Sequence, residues 1–379
     1  MKKVFHYPHS KLVSKKVVFF SLFCCLTFLG SFAQTDQFAD KKLSIEAKEL
    51  YQFLQKTTEK GFLIGHQDAA AYGVGWNASD HPDEISGDVF KISGKFPSLY
   101  GFDIGGIENG ESYNLDDVPF ERMRKLIVDA YAKGGVITIS WHADHPVTQG
   151  DSWDQTPAVK HIISGGKEKE KYDLWLSRVA EFLKSLQHDN KPIPVIFRPF
   201  HEMNGSWFWW GDPNCSHEEY IQLWKETFAS LTEKHQLHNL LYAYSPNKLN
   251  PDDDYLNYYP GDDFVDILGI DIYDFNNAEE YMRSVKNDLA LVKSIAHQKN
   301  KLFAFTETGL EQIPTENWYT EVLYPALENS GISWVLFWRN FSTEHHYVPY
   351  PGHAQEKDFQ KFEQFPKTLF LEDINPLNE

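Results

Sequence analysis

Ile193-Pro-Val-Ile-Phe-Arg198-Pro-Phe-His-Glu202 is a short, apolar, β-branched run that stops abruptly in polar groups. Seven more runs of the same kind occupy residues 62–66, 98–103, 136–141, 240–245, 265–272, 302–306 and 332–337. Between them lie segments with helical periodicity, residues 120–133, 172–187, 218–235, 278–297 and 318–330, each long enough for a crossover helix, and a helix-like stretch at 42–60 leads in. Alternating strands and helices predict a parallel α/β fold. Eight strands with crossovers read as a closed (β/α)8 TIM barrel. A doubly wound open sheet is the rival, but no Gly-x-Gly-x-x-Gly turn follows the first strand. An open sheet also gathers its ligand contacts at one switch point, whereas polar residues here end many strands. No linker, repeat or low-complexity tract interrupts residues 42–370, so a single catalytic domain is expected over residues 34–379, without an appended carbohydrate-binding module.

Residues 1–16 hold five lysines and no acid, and residues 17–30 are apolar. Ser31 and Ala33 stand at the -3 and -1 positions of a cleavage site before Gln34, so residues 1–33 read as a signal peptide and not as a membrane span. Export is expected, with the periplasm favoured over release from the cell. Phe23 before Cys24, and Cys24 before Cys25, fit a lipid-attachment site poorly. Losing five lysines takes the net charge from -18 to -23. Such an acidic chain excludes nucleic acid and anionic membrane surfaces as partners and suits a neutral substrate. Only Cys215 would remain, so no intramolecular disulfide is expected, and neither is a cofactor, a metal or an oligomeric partner. Eleven tryptophans serve either core packing or sugar stacking.

In such a barrel the working groups stand at the C-terminal ends of the strands. Those ends read His66-Gln67-Asp68, Asp103, Trp141-His142, Arg198 to Glu202, Asp271-Ile272-Tyr273, Thr306-Glu307 and Trp338-Arg339. Retaining cleavage of a glycosidic bond needs a proton donor and an attacking carboxylate about 5 Å apart. Glu202 and Glu307 end the fourth and seventh strands, three apart on the ring, and can face each other across its mouth. A buried ion pair with a partner such as Arg198 would explain either one alone. Together they point to chemistry.

Arg198-Pro-Phe-His-Glu202-Met-Asn-Gly-Ser-Trp207, with Phe305-Thr-Glu307-Thr-Gly, resembles glycoside hydrolase family 26, which consists mainly of β-mannanases. The similarity runs from Gly65-His66 to Trp338-Arg339. It implies a (β/α)8 barrel that hydrolyses β-1,4-mannosidic linkages with retention, Glu202 acting as acid/base and Glu307 as nucleophile. His201 stands where most of the clan has asparagine. The resemblance further implies that Tyr273 bonds the nucleophile, Trp338 lies under the sugar being cleaved and Arg339 reaches the next sugar outward. Trp207 would lie on the leaving-group side, and His142, Trp153 and His201 would contact substrate. A relative acting on mixed-linkage β-glucan or β-xylan is the nearer alternative, and a non-catalytic glycan-binding barrel the more distant one. His142-x-x-His145 could also be metal-ligand spacing, although the segment is a loop and lacks a third ligand at the usual spacing. Long loops at residues 105–117 and 144–169 predict a cleft closed at one end and short products such as mannobiose.

Overall fold

Eight parallel strands pair in chain order: β1 (Phe62–Gln67), β2 (Leu99–Asp103), β3 (Val136–Trp141), β4 (Val195–Pro199), β5 (Leu240–Tyr244), β6 (Ile267–Asp274), β7 (Leu302–Leu310) and β8 (Trp334–Phe337). β8 returns to β1, with Leu63 opposite Trp334 and His66 opposite Phe337, and the ring is closed. This closure decides for the barrel against the open sheet. The computed structural model describes residues 38–77, 87–250 and 254–374, all within a compact unit spanning Asp36–Glu379. The expected signal peptide lies outside them. Among the described residues no helix is long and apolar enough to cross a membrane.

The strands are buried throughout, apart from the half-buried Tyr273 in β6, because one face of each looks into the barrel and the other meets a layer of helices. Leu63, Leu99, Val136, Ile196, Leu241 and Ile267 fill the lower interior. Helix α1 (Ile45–Thr57) plugs that end with Leu50 and Leu54, and it starts at Ser44, whose hydroxyl accepts the Ala47 N–H. Crossover helices include Phe120–Ala132, Lys169–Ser185, His217–Ala229 and Ala278–Lys299. Ser216 and Glu219 begin the third of these with a reciprocal capping box. Between β5 and β6 the described residues hold only the single turn Asp262–Phe264.

Three of the shifts from the expected boundaries have clear local reasons. β4 begins at Val195, not at residue 193, because Pro194 has no N–H to give the ladder. The helix expected at 318–330 divides into a wide turn, Trp318–Leu323, and the short Tyr324–Leu327, where Pro325 interrupts regular bonding. β7 runs on past residue 306 to Leu310, with Ile270 opposite Phe305 but Asp271 opposite Glu307. Thr306 is thus an extra residue, a bulge placed directly before Glu307 that redirects the side chain following it. Its hydroxyl bonds the Ile270 carbonyl at 3.0 Å and the Ser245 hydroxyl at 2.7 Å. Gly269 leaves the space, since a Cβ there would come within 2.5 Å of the Thr306 hydroxyl.

Candidate active site

Glu202 leaves β4 on an unusual path. Phe200 and Glu202 both adopt left-handed backbone, φ 51° and 56°, which costs free energy in residues with a Cβ and is found where function demands it. The Glu202 N–H donates to the Ser245 carbonyl at 2.8 Å, which holds the turn against the end of β5. The carboxylate accepts the Trp207 indole N–H at 2.8 Å on one oxygen and the Asn247 amide at 2.7 Å on the other. Asn247 is fixed in turn by Asn204, which accepts its N–H at 2.8 Å. Two donors favour the ionised carboxylate, but burial, and after it the charge of Glu307, push Glu202 up to about 7. Near neutral pH it therefore retains a proton in a large share of molecules.

Glu307 has different surroundings. The Arg198 guanidinium donates to one oxygen, and the Tyr273 hydroxyl donates to the other at 2.7 Å. Arg198 also donates to Asp271 at 3.0 Å, and Asp271 accepts from Ser245 at 2.8 Å. One oxygen each of Glu202, Asp271 and Glu307 lies within 4.8 Å of the others. For Glu202 and Glu307 this agrees with the roughly 5 Å spacing of a retaining pair better than with the about 6.5 Å or more of an inverting one. The ion pair that would have explained Glu307 structurally exists alongside this spacing, with the guanidinium fixing the carboxylate that faces Glu202.

The opposite wall is built from β2, β3 and β8. His142 is held through Nδ1 by Asp103 at 2.7 Å, and Asp103 also accepts the Ser140 hydroxyl at 2.6 Å. Burial works against charge on His142, but Asp103 more than offsets it and leaves the imidazole raised above its usual range. Trp153, 47% exposed, stacks on His142 with centroids 5.4 Å apart, and the Trp338 ring lies 6.0 Å away. His201 sits between His142 and Glu307, its Nε2 3.8 Å from the carboxylate. Burial, together with the charges of Arg198 and His142, holds His201 well below its usual range, hence neutral. Neither of its ring nitrogens has a protein partner, and an unpaired buried polar group calls for a ligand or a water.

Arg339 closes one end of the cleft by pairing with Asp116 of the loop after β2 at 3.0 Å and bonding the Tyr72 hydroxyl at 3.2 Å. The other end opens into a cavity of about 400 Å³ bordered by Glu202, Trp207, Asn247, Tyr273 and Phe275. A larger cavity, about 540 Å³, lies at the α1 end of the barrel near Glu46, Tyr131 and His188 and contains none of these groups.

Of the nine residues singled out in the sequence, Glu202, Trp207, Tyr273 and Trp338 border the 400 Å³ cavity, Glu307, His201, His142 and Trp153 adjoin them through the contacts above, and Arg339 lies beyond with Asp116 and Tyr72. Of the aromatic run only Trp207 reaches a carboxylate; Trp209 and Trp210 are buried and donate to the Ala143 and His201 carbonyls. His145 spends both ring nitrogens on its own loop, accepting N–H groups of Val147 and Thr148 through Nδ1 and bonding the Thr156 carbonyl through Nε2. It has no lone pair to give a metal, which removes the His-x-x-His alternative. Four partners escaped the sequence reading as site residues: Asn247, Asp271, Asp103 and Asp116. Asn247 follows the fifth strand by the same logic as Glu202 follows the fourth, so a search of that strand end would have found it.

Residues 39–320 match the model of glycosyl hydrolase family 26. A mannan endo-1,4-β-mannosidase of Bifidobacterium adolescentis is 31% identical over 363 residues, which cover 89% of this chain and 36% of that protein. One from Bacillus subtilis is 32% identical, covering 58% of this chain and 60% of its own length. The chain thus spans between about a third and three-fifths of these relatives. The structure of a GH26 β-mannanase from Bacteroides ovatus, BoMan26A, superposes with a TM-score of 0.83 at 42% identity, covering 88% of this chain and 97% of that one. The catalytic domain of a GH26 endo-β-1,4-mannanase from Bacillus sp. JAMB-750 gives a TM-score of 0.84 at 31% identity, over 90% and 95% of the two chains.

Proposed function

The chain belongs to glycosyl hydrolase family 26, and from that premise we propose that it hydrolyses β-1,4-mannosidic linkages of mannan, glucomannan or galactomannan with retention of configuration. The observation that carries this reading is the carboxylate pair within 4.8 Å, one member protonated by its surroundings and the other bound by a guanidinium and a phenol.

In the first step a carboxylate oxygen of Glu307 bonds to the anomeric carbon as the bond to the leaving oxygen breaks. Glu202 gives that oxygen its proton. The Glu307 charge vanishes into the glycosyl ester, and with it one of the influences that held Glu202 protonated. In the second step Glu202, now ionised, takes a proton from water as the water oxygen bonds the anomeric carbon and the ester bond breaks. Glu307 is again a carboxylate and Glu202 again an acid. Arg198 and Tyr273 hold the nucleophile in place through both steps. His142, His201, Trp153, Trp338 and Arg339 bind sugar on the non-reducing side and Trp207 binds on the leaving-group side.

Incubation of residues 34–379 with unbranched mannan, galactomannan, mixed-linkage β-glucan and β-xylan tests the substrate. Mannooligosaccharides are expected, and Glu202→Ala should slow their release by roughly 100- to 10,000-fold. Cleavage of glucan or xylan alone would keep the mechanism and replace the substrate. The Arg339–Asp116 contact across the closed end supports mannobiose as the main early product, and a broad ladder of oligomers at the earliest times would contradict that. Export to the periplasm by residues 1–33 completes the proposal. Protein recovered from a periplasmic fraction should begin at Gln34 on N-terminal sequencing, and an intact Met1 would refute cleavage.

A further inference from the structure

Phe275 is the most exposed of the large apolar side chains among the described residues, at 87%. Nothing about its backbone is loose. Asp274, the last residue of β6, accepts the Asn277 N–H at 2.8 Å on one oxygen and the Trp318 indole N–H at 2.9 Å on the other. Asn276 takes the left-handed conformation, φ 62°, which asparagine tolerates better than most residues. Asn277 then caps helix Ala278–Lys299 by accepting the Glu280 N–H. A clamped turn between a barrel strand and a helix cap therefore presents a phenyl ring that no other aromatic ring meets among the described residues.

Position gives the ring its purpose. Phe275 borders the same cavity as Glu202 and Trp207, at the open end of the cleft, whereas Arg339 and Asp116 close the other end. Lys248 and Glu311 border that cavity too and supply polar edges. An exposed aromatic ring on a clamped turn, with hydrogen-bonding groups at its sides, suits the recognition of a pyranose, which offers C–H groups on its face and hydroxyls at its rim. We propose that Phe275 is the stacking platform for the second sugar on the leaving-group side and so favours substrates long enough to place two sugars there. This rests on the glycosidase reading above.

The test compares Phe275→Ala and Phe275→Trp with wild type on two substrates. One is a mannopentaose, long enough to reach Phe275. The other is an aryl β-mannobioside, whose single aryl ring ends at the first leaving-group position. The Ala variant should lose about tenfold more kcat/KM on the oligosaccharide than on the aryl glycoside, mainly through KM, and Trp should restore it. Equal losses on both substrates, or no loss on the longer one, would overturn the inference while wild-type turnover upheld the glycosidase reading. A wild type inactive on both would sink that reading and this inference with it.

Discussion

Glu307→Gln is expected to lower kcat by roughly 10,000-fold or more while the protein stays folded. The amide fits the same space. Its oxygen can accept from Arg198 and its NH₂ can donate to Tyr273, so both partners keep a bond. What disappears is the nucleophile, together with a negative charge beside Glu202. That charge is the second influence, after burial, holding Glu202 at about 7, so the pKa of Glu202 should fall in the variant. Trp207 reports it directly, because its indole N–H bonds the Glu202 carboxylate, and a fluorescence titration should show the transition at lower pH than in wild type. The wild-type enzyme supplies the control. Glu202 must be protonated for the first step, so kcat/KM should fall as pH rises through about 7. A variant retaining a tenth of the activity would move the nucleophile elsewhere, and Asp271 is the other carboxylate in the cluster.

Arg198→Met should be the most destabilising single change in the site. Arg198 is buried and serves Glu307 and Asp271 together, and removing one partner from a buried ion pair costs about 3–5 kcal/mol. Without the guanidinium, two carboxylates and Glu202 would share one dry space. Asp271, which burial pushes up and Arg198 holds down, would then keep its proton to still higher pH when folded than when unfolded. A raised acid pKa in the folded state means stability lost as pH rises, so the deficit in denaturation midpoint should be smaller at pH 5 than at pH 8. Activity should fail too, since the guanidinium no longer holds the Glu307 carboxylate in place. Adding Asp271→Asn removes one of the stranded acids, and the double variant should be more stable than Arg198→Met alone. If the double variant were instead less stable by the sum of the two single losses, the shared role of Arg198 would be refuted.

The barrel was legible because each strand is a short apolar run with buried faces, and such runs survive in sequence whatever surrounds them. The carboxylate pair was legible for a related reason: a strand end fixes where a side chain can work. What escaped depends on geometry that periodicity does not encode. The bulge at Thr306 is one residue of misregister between β6 and β7, and the left-handed turns at Phe200 and Glu202 lie at residues with no marked preference for them. Arg339 and Asp116 meet only because loops after β8 and β2 cross, so sequence could suggest a closed end from loop length but not the ion pair that closes it. His142 was found without Asp103 as its partner, although Asp103 was noted as a strand end.

One detail of the ring bears on when it can form. β1 is paired along its upper part by β8, but Phe62 and Leu63 at its lower end also pair with Thr368 and Leu369, which follow the last strand of the ring. The first strand of the ring thus waits for the last and for Thr368 and Leu369, and contacts of such long sequence separation are slow to find. A ribosome working from the N-terminus cannot close this barrel piecemeal. For a chain exported as proposed above, such a delay would leave it open while it meets the translocation machinery, with the ring to be closed afterwards.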